Sequence, residues 1–249
     1  MKEMVKKETG NEMMNTESLE AWGSVELTQN DIIIPKILAM QGLSDLVAQG
    51  KAVFGDFCNS LTGKKLGGIN KPIELIPFYM ERLWLVFEPN EKGKMKFKEL
   101  YPITHKNENL EWSVKNEKGV EILRRDRTLQ FYVLLPEDIK RGLVFPYVVS
   151  FRRTSAKAGK KLATQMYVIN RQMNLAPAGK TVRLHGTKES NDDGTFIVMD
   201  ITEGRKTTQE ELASAFDMYR MILQGANKVD HSDIQSEELP KQGEVSDEF

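Results

Sequence analysis

The chain has 249 residues, 40% of them hydrophobic, and a formal net charge of −1. Its apolar runs fall far short of the roughly 20 residues that cross a bilayer, and its N-terminus lacks the pattern of a signal peptide. These features predict a cytoplasmic protein without membrane contact. The single cysteine, Cys58, excludes an intrachain disulfide and a thiolate metal cluster, and the three histidines have no metal-binding spacing, so no metal or other cofactor is expected.

The near-zero net charge is the sum of opposed blocks. Residues 1–26 carry three Lys and six acids, and residues 229–249 carry one Lys and seven acids. Because the whole chain has a net charge of −1, the segment between them, 27–228, carries +8. A basic body with acidic ends is typical of proteins that bind nucleic acids or charged partners.

Strand signals dominate the first half of the chain. Residues 1–27 are polar and aperiodic and predict a flexible N-terminal segment. A helical turn is expected to begin at Pro35 and a short helix to span Ser44–Gln49. Aromatic and β-branched residues between Pro72 and Glu88 predict one or two strands. Further strand candidates are Thr128–Leu135 and Phe145–Arg152.

Helical spacing first appears after Thr154-Ser155, a candidate N-cap, and continues to Met173. Two strands, Thr181–Thr187 and Thr195–Thr202, are joined by a hairpin-turn sequence. A capping box at Thr208–Glu211 opens a last helix, whose predicted apolar face includes Phe216 and which ends at Gly225.

This order of elements predicts an α+β, mostly β chain with disordered termini. Residues 28–225 are expected to form a single α+β or small-barrel domain. Residues 226–249 are polar and acidic and predict a disordered C-terminal tail.

The strongest functional signal is the basic window, Ile139–Lys188, which contains eleven Lys or Arg and no Asp or Glu. Phosphates favour such a surface because no neighbouring carboxylate competes for the cations. The predicted phosphate-binding residues are Arg152, Arg153, Lys157, Lys160, Lys161, Arg171, Lys180 and Arg183.

Aromatic residues alternate with these cations, and proteins that bind single strands stack bases on such rings. The predicted stacking residues are Tyr147, Phe151 and Tyr167. The alternative for each ring is a place in the hydrophobic core, because alternating aromatics in strands are usually buried.

The chain ends in acidic residues followed by an aromatic carboxyl-terminal residue, Asp247-Glu248-Phe249. Here it resembles the single-stranded DNA-binding proteins of bacteria and of podovirus-type phages, and the segments Phe151–Leu162 and Gly194–Val198 are similar to phage proteins of that type. The resemblance implies that residues 28–225 form an OB-like small barrel with added helices, a nucleic-acid-binding domain that coats single-stranded DNA in replication or recombination. It also implies that Asp247, Glu248 and Phe249 recruit replication or recombination proteins.

Other functions remain open at this stage. The sequence does not decide between DNA and RNA. A scaffold protein whose basic face meets an acidic protein would have the same charge pattern. A metal-dependent nuclease would need scattered carboxylates such as Asp126, Glu189 and Asp200. The segment Asn174–Thr181 is close to a P-loop, but a strand is predicted to follow it where that motif needs a helix, so we expect no NTP hydrolysis and no enzyme.

Overall fold

β-Strands form most of the regular structure in a computed structural model of the chain. The structure describes residues 33–192 and 194–225, together with Val229, His231, Ile234 and the pair Glu238–Leu239. The strands are β1 (Ile37–Ala39), β2 (Asp56–Asn59), β3 (Lys65–Gly68), β4 (Ile73–Pro89), β5 (Met95–Pro102), β6 (Ser113–Lys115), β7 (Glu121–Leu134), β8 (Tyr147–Arg152), β9 (Lys180–Asn191), β10 (Gly194–Lys206) and β11 (Glu238–Leu239).

Helices are short, with one exception near the end of the described chain. They are α1 (Asp45–Ala48), α2 (Pro136–Ile139), α3 (Ala156–Thr164), α4 (Asn170–Gln172) and α5 (Gln209–Leu223). A 3₁₀ turn, Arg153–Ser155, leads into α3, and a π-helical turn, Gln165–Ile169, joins α3 to α4. The single helix predicted after Thr154-Ser155 is therefore interrupted by a wider turn.

The strands make two antiparallel sheets. Strands β1, β2 and β3 form the smaller one in that order, and the larger contains the other eight. The 17-residue β4 is the centre of the larger sheet, because it pairs with β5, β7 and β9. Strand β7 in turn pairs with β6 and β8.

The two faces of β7 and β8 differ, as expected for a period of two residues. Phe131 and Val133 of β7, with Val149 and Phe151 of β8, belong to the main hydrophobic core. Helix α3 closes this core at Gly159, where an added Cβ would lie 2.7 Å from the Cβ of Phe151. The close approach explains why a glycine stands inside this helix.

The mostly β class predicted from the sequence is confirmed. The strands form two sheets, and the OB-like barrel stays a prediction. The helical turn expected from Pro35 is wrong, because residues 37–39 instead form β1 and pair with Phe57–Asn59 of β2. Tertiary pairing here overrides the local signal from proline. The flexible segment 1–27 predicted at the N-terminus lies outside the described residues.

The C-terminal segment contacts the body at three places that the structure describes. Val229 is buried and forms a parallel bridge with Ile34, and Ile234 packs against Leu85 and Phe87. Glu238–Leu239 adds a strand to the edge of β5. The predicted domain boundary at residue 225 therefore lies before the last contacts with the core. None of the described helices is long and apolar enough to cross a membrane.

Candidate nucleic-acid interface

The cations predicted to bind phosphate lie on consecutive elements between β8 and β9. Arg152 is the last residue of β8, and Arg153 begins the 3₁₀ turn. The others are Lys157, Lys160 and Lys161 on α3, Arg171 on α4, and Lys180 and Arg183 on β9. All are exposed except Arg152 and Lys180, which are partly buried.

The basic window lacks acids in sequence but not in space. Asp126 of β7 lies 2.7 Å from Arg153 and 4.0 Å from Arg152. From β10, Asp200 lies 3.5 Å from the ammonium group of Lys161, and Glu203 forms an ion pair with Lys180. Half of the predicted phosphate contacts are thus already engaged by carboxylates.

The remaining four cations are Lys157, Lys160, Arg171 and Arg183, and none of them forms an ion pair with a described residue. Three of the four belong to one row. At spacings of 3, 4, 3 and 4 residues, the row comprises Lys157, Lys160, Thr164, Tyr167 and Arg171, all of them exposed. Lys157, Lys160 and Thr164 share one face of α3, and the π-helical turn then carries Tyr167 and Arg171 round the helix from that face. At the α-helical rise, 14 residues span about 21 Å. We call this row the 157–171 stripe.

Two of the three predicted stacking residues are not available to a base. Phe151 has no exposed surface and packs edge-on against Phe131, with ring centroids 5.7 Å apart. Tyr147 is 8% exposed and donates a hydrogen bond to Asp138. Burial raises the pKa of the Tyr147 hydroxyl to about 12. Both side chains face the core because they occupy odd positions of β8, so their assignment to base stacking is corrected.

Tyr167, the third predicted ring, is 41% exposed on the π-helical turn. It lines an apolar groove of about 820 Å³ between this turn, residues 176–178 and α5. Tyr79 and Tyr219 also line the groove, with ring centroids 5.8 Å apart. Burial against these rings raises the pKa of the Tyr167 hydroxyl. The groove therefore presents several aromatic surfaces beside the end of the stripe.

Phe216 is the groove residue that the sequence placed wrongly. Its side chain is 59% exposed, whereas Ala215 and Ile222 of the same helix are buried. The predicted apolar face of α5 was too wide, because helical spacing cannot show where the body stops covering a helix. The exposure of Phe216 could have been found only from the packing of α5 against β4.

Strand β7 carries three arginines that the sequence analysis did not select, Arg124, Arg125 and Arg127. Each has a partner in the fold: Arg124 pairs with Glu121 at 2.5 Å, and Arg125 donates to the carbonyl of Glu111 at 2.8 Å. The guanidinium of Arg127 lies over the Trp84 ring, 5.0 Å from its centroid. These arginines stabilise the long strands and add little to a free cationic surface.

The candidate nuclease carboxylates are not assembled into a metal site. Asp126 and Asp200 are engaged by cations, and Glu189 is exposed on β9. Among the described residues, no group of three His, Cys, Asp or Glu side chains is placed to hold a metal ion.

A family model described as Pam3 phage gp34-like protein matches residues 5–228. The chain belongs to this family. No curated protein and no solved structure matches it. Membership confirms the phage part of the resemblance found in the sequence, while the single-stranded DNA-binding identity stays a prediction.

The family match includes every element from β1 to α5, and so contains the stripe and the groove. The acidic segment that follows, 229–249, lies beyond the matched residues. Its predicted partner-binding residues, Asp247, Glu248 and Phe249, lie outside the described residues.

Proposed function

We propose that this protein binds single-stranded DNA through the 157–171 stripe, in phage replication or recombination in the host cytoplasm. The observation that carries the proposal is the stripe itself: two lysines, an arginine and an accessible tyrosine are all exposed along one continuous helical segment. Cations that track phosphates beside a ring that stacks a base are the components of sequence-tolerant single-strand binding.

The dimensions of the stripe support this function. A segment about 21 Å long offers room for several nucleotides, within the range of single-strand sites. Lys157 and Lys160 form no ion pair with a described residue, so DNA need not displace a carboxylate to reach them. Tyr167 provides the ring, and the groove beyond it has further aromatic walls.

An OB-like barrel is part of the same proposal. Hydrogen bonds connect the small sheet to both ends of the large one: Lys36 bridges to Val148 of β8, and the side-chain amide of Gln41 bonds both backbone groups of Ile197 in β10. The strands between these two connections surround the main hydrophobic core. This arrangement supports a barrel-like body, as the resemblance to single-stranded DNA-binding proteins implies.

The test is a comparison of binding to fluorescent oligo-dT, oligo-U, duplex DNA and heparin by anisotropy. We expect oligo-dT to bind more tightly than duplex of equal charge, because only unpaired bases expose their faces to Tyr167. Preference for oligo-U over oligo-dT would assign the site to RNA. Equal affinity for all four polyanions would overturn the proposal.

A second candidate is a protein-interaction factor, and the apolar groove is the observation in its favour. Phe216 and Tyr219 line a cavity of about 820 Å³ that an apolar side chain of a partner could fill. In the same experiment, failure of all nucleic acids to bind would favour this candidate.

A further inference from the structure

The apolar groove at the end of the stripe has walls that the fold holds in fixed positions. Helix α5 forms one wall and packs against β4. Residues 176–178 and the π-helical turn form the other, and the buried side chain of Asn170 connects them. It donates hydrogen bonds to the carbonyls of Ala176 and Pro177, at 3.3 and 3.0 Å, and accepts one from Gln165 at 3.1 Å. The groove is therefore already formed in the free protein, as ligand sites usually are.

The composition of the walls selects a flat ligand. Five of the eleven wall residues are aromatic, and none is charged. The rings of Tyr79 and Tyr219 are tilted by 58° with their centroids 5.8 Å apart, and Phe216 is 59% exposed. The volume of about 820 Å³ exceeds what one small ring needs. Such a groove can hold more than one planar group against its aromatic faces.

Three of the aromatic wall residues also carry a hydroxyl group, namely Tyr79, Tyr167 and Tyr219. None of these hydroxyls makes a hydrogen bond with a described residue. The hydroxyl of Tyr132, which packs against Tyr79 from the interior, donates instead to Glu81 at 3.1 Å. An aliphatic side chain of a protein partner would leave all three wall hydroxyls without a partner. They favour a ligand with polar atoms at the edge of its ring.

Cations flank the groove on two sides. Arg171 and Arg220 each come four residues after an aromatic wall residue, which is about one helical turn. Neither forms an ion pair with a described residue. The wall residues of α5 cover about 120° of its circumference, and Arg220 lies within this arc, whereas the exposed acids Glu210 and Asp217 lie outside it. A ligand with negative charge beside its rings matches these flanks.

We propose that the groove binds several unpaired nucleobases of the strand that follows the stripe, with the phosphates toward Arg171 and Arg220. Flat faces, polar edges and one phosphate for each unit are the properties that the walls and flanks select. Tyr167 belongs to both the stripe and the groove, so one strand passes from the first to the second. The inference rests on the proposed function and adds to it a site where bases leave the solvent.

The test compares oligo-dT with an oligomer of the same length and charge whose nucleotides are all abasic. Both oligomers present phosphates to the cations, but only oligo-dT has bases for the groove. The variant is Phe216→Ala. The matched control is Leu223→Ala, because Leu223 belongs to the same helix, is also 59% exposed and does not line the groove. Fluorescence anisotropy at constant ionic strength measures each affinity.

We expect Phe216→Ala to weaken binding of oligo-dT by about fivefold or more, as the loss of one base–ring contact predicts. Binding of the abasic oligomer should stay at the wild-type value, and Leu223→Ala should bind both oligomers as the wild type does. Should Phe216→Ala lose stability, Ala213→Leu provides the second variant. Ala213 is an exposed wall residue, so a larger side chain there fills part of the groove and should cause the same base-dependent loss.

The variant K157Q/K160Q separates this inference from the proposed function, because it should weaken both oligomers. Equal losses on both oligomers in Phe216→Ala, or no loss on oligo-dT, overturn the inference and leave strand binding by the stripe intact; the groove would then belong to a protein partner. A base-dependent loss in Phe216→Ala, with no effect of K157Q/K160Q, supports the groove and removes the stripe from the site. Binding of neither oligomer by the wild type overturns both.

Discussion

The Nε atom of Arg153 lies 2.7 Å from the Oδ2 atom of Asp126, and the same carboxylate oxygen is 4.0 Å from Arg152. Asp126 stands 27 residues before Arg153 in sequence. One carboxylate thus partly neutralises two neighbouring arginines at the edge of the proposed DNA surface. Its removal should strengthen the binding of polyanions.

For Asp126→Asn we expect tighter binding of oligo-dT at low salt by a few fold, because both arginines gain net positive charge. The stability loss should be under about 1 kcal/mol, since the Arg153 side chain is 41% exposed. Anisotropy titrations and thermal melts measure the two effects, with Asp192→Asn as the control. Weaker DNA binding in Asp126→Asn would mean that the carboxylate positions the arginines for DNA.

The lysines of the stripe should set part of the salt dependence. Each phosphate contact contributes about 0.7 to the slope of log K against log salt on single strands, so K157Q/K160Q should flatten the slope by about 1.4. The control K115Q/K118Q removes two exposed charges from the β6–β7 hairpin at the same spacing. An unchanged slope in folded K157Q/K160Q would remove the stripe from the DNA site.

Tyr167→Ala should lower DNA affinity by about 1–3 kcal/mol, the range for one stacked base. Its melting temperature should change little, because 41% of the side chain is already exposed. Phe151→Ala is the contrasting change, since truncating this buried ring should cost about 3–5 kcal/mol of folding stability. Wild-type DNA affinity in Tyr167→Ala would transfer stacking to another ring of the groove, and Phe216→Ala tests that directly.

The acidic tail should compete with DNA for the cationic surface at low salt, because its covalent attachment to the body keeps its local concentration near millimolar. Deleting 229–249 would remove buried Val229 and Ile234 and so destabilise the body. Deleting only 240–249 spares both and removes one Lys and three acids. We expect that shorter deletion to tighten DNA binding at low salt and to have no effect at high salt.

Phe249→Ala separates the two roles of the tail. The ring adds no charge, so DNA affinity should stay at the wild-type value while pull-down of replication or recombination proteins weakens. Unchanged or reduced low-salt DNA affinity after deletion of 240–249 would exclude the tail as a competitor.

Glu81 should make the free energy of unfolding decrease as the pH rises above the acidic range. Burial raises the pKa of its carboxyl, and hydrogen bonds from Tyr132 and Gln130 only partly oppose this shift. The folded state therefore holds the proton to higher pH than the unfolded state, and stability falls as pH rises from about 4.5 through the folded pKa. Glu81→Gln should remove this loss, giving a higher melting temperature at neutral pH. An identical pH profile in Glu81→Gln and the wild type would contradict the assignment.

Short sequence motifs predicted correctly those elements that are stabilised by neighbours in the chain. The Thr208 hydroxyl and the Glu211 side chain form the expected capping box, and β9 and β10 form the expected hairpin. Sheet register, by contrast, is set by contacts distant in sequence. It brought Asp126 to Arg153 and turned Tyr147 and Phe151 into the core. The packing of α5 against the body, which is equally non-local, left Phe216 exposed. None of these placements follows from the spacing of residues along one element.

The π-helical turn Gln165–Ile169 has a consequence for how this family can diverge. Its hydrogen bonds enclose one residue more than those of an α-helix, so a relative shorter by one residue at this point would regain a regular helix. The lysines before the turn would keep their orientation, while every side chain after it would rotate by about 100° relative to the groove. Charge and aromatic contacts can therefore evolve independently along one continuous segment of backbone.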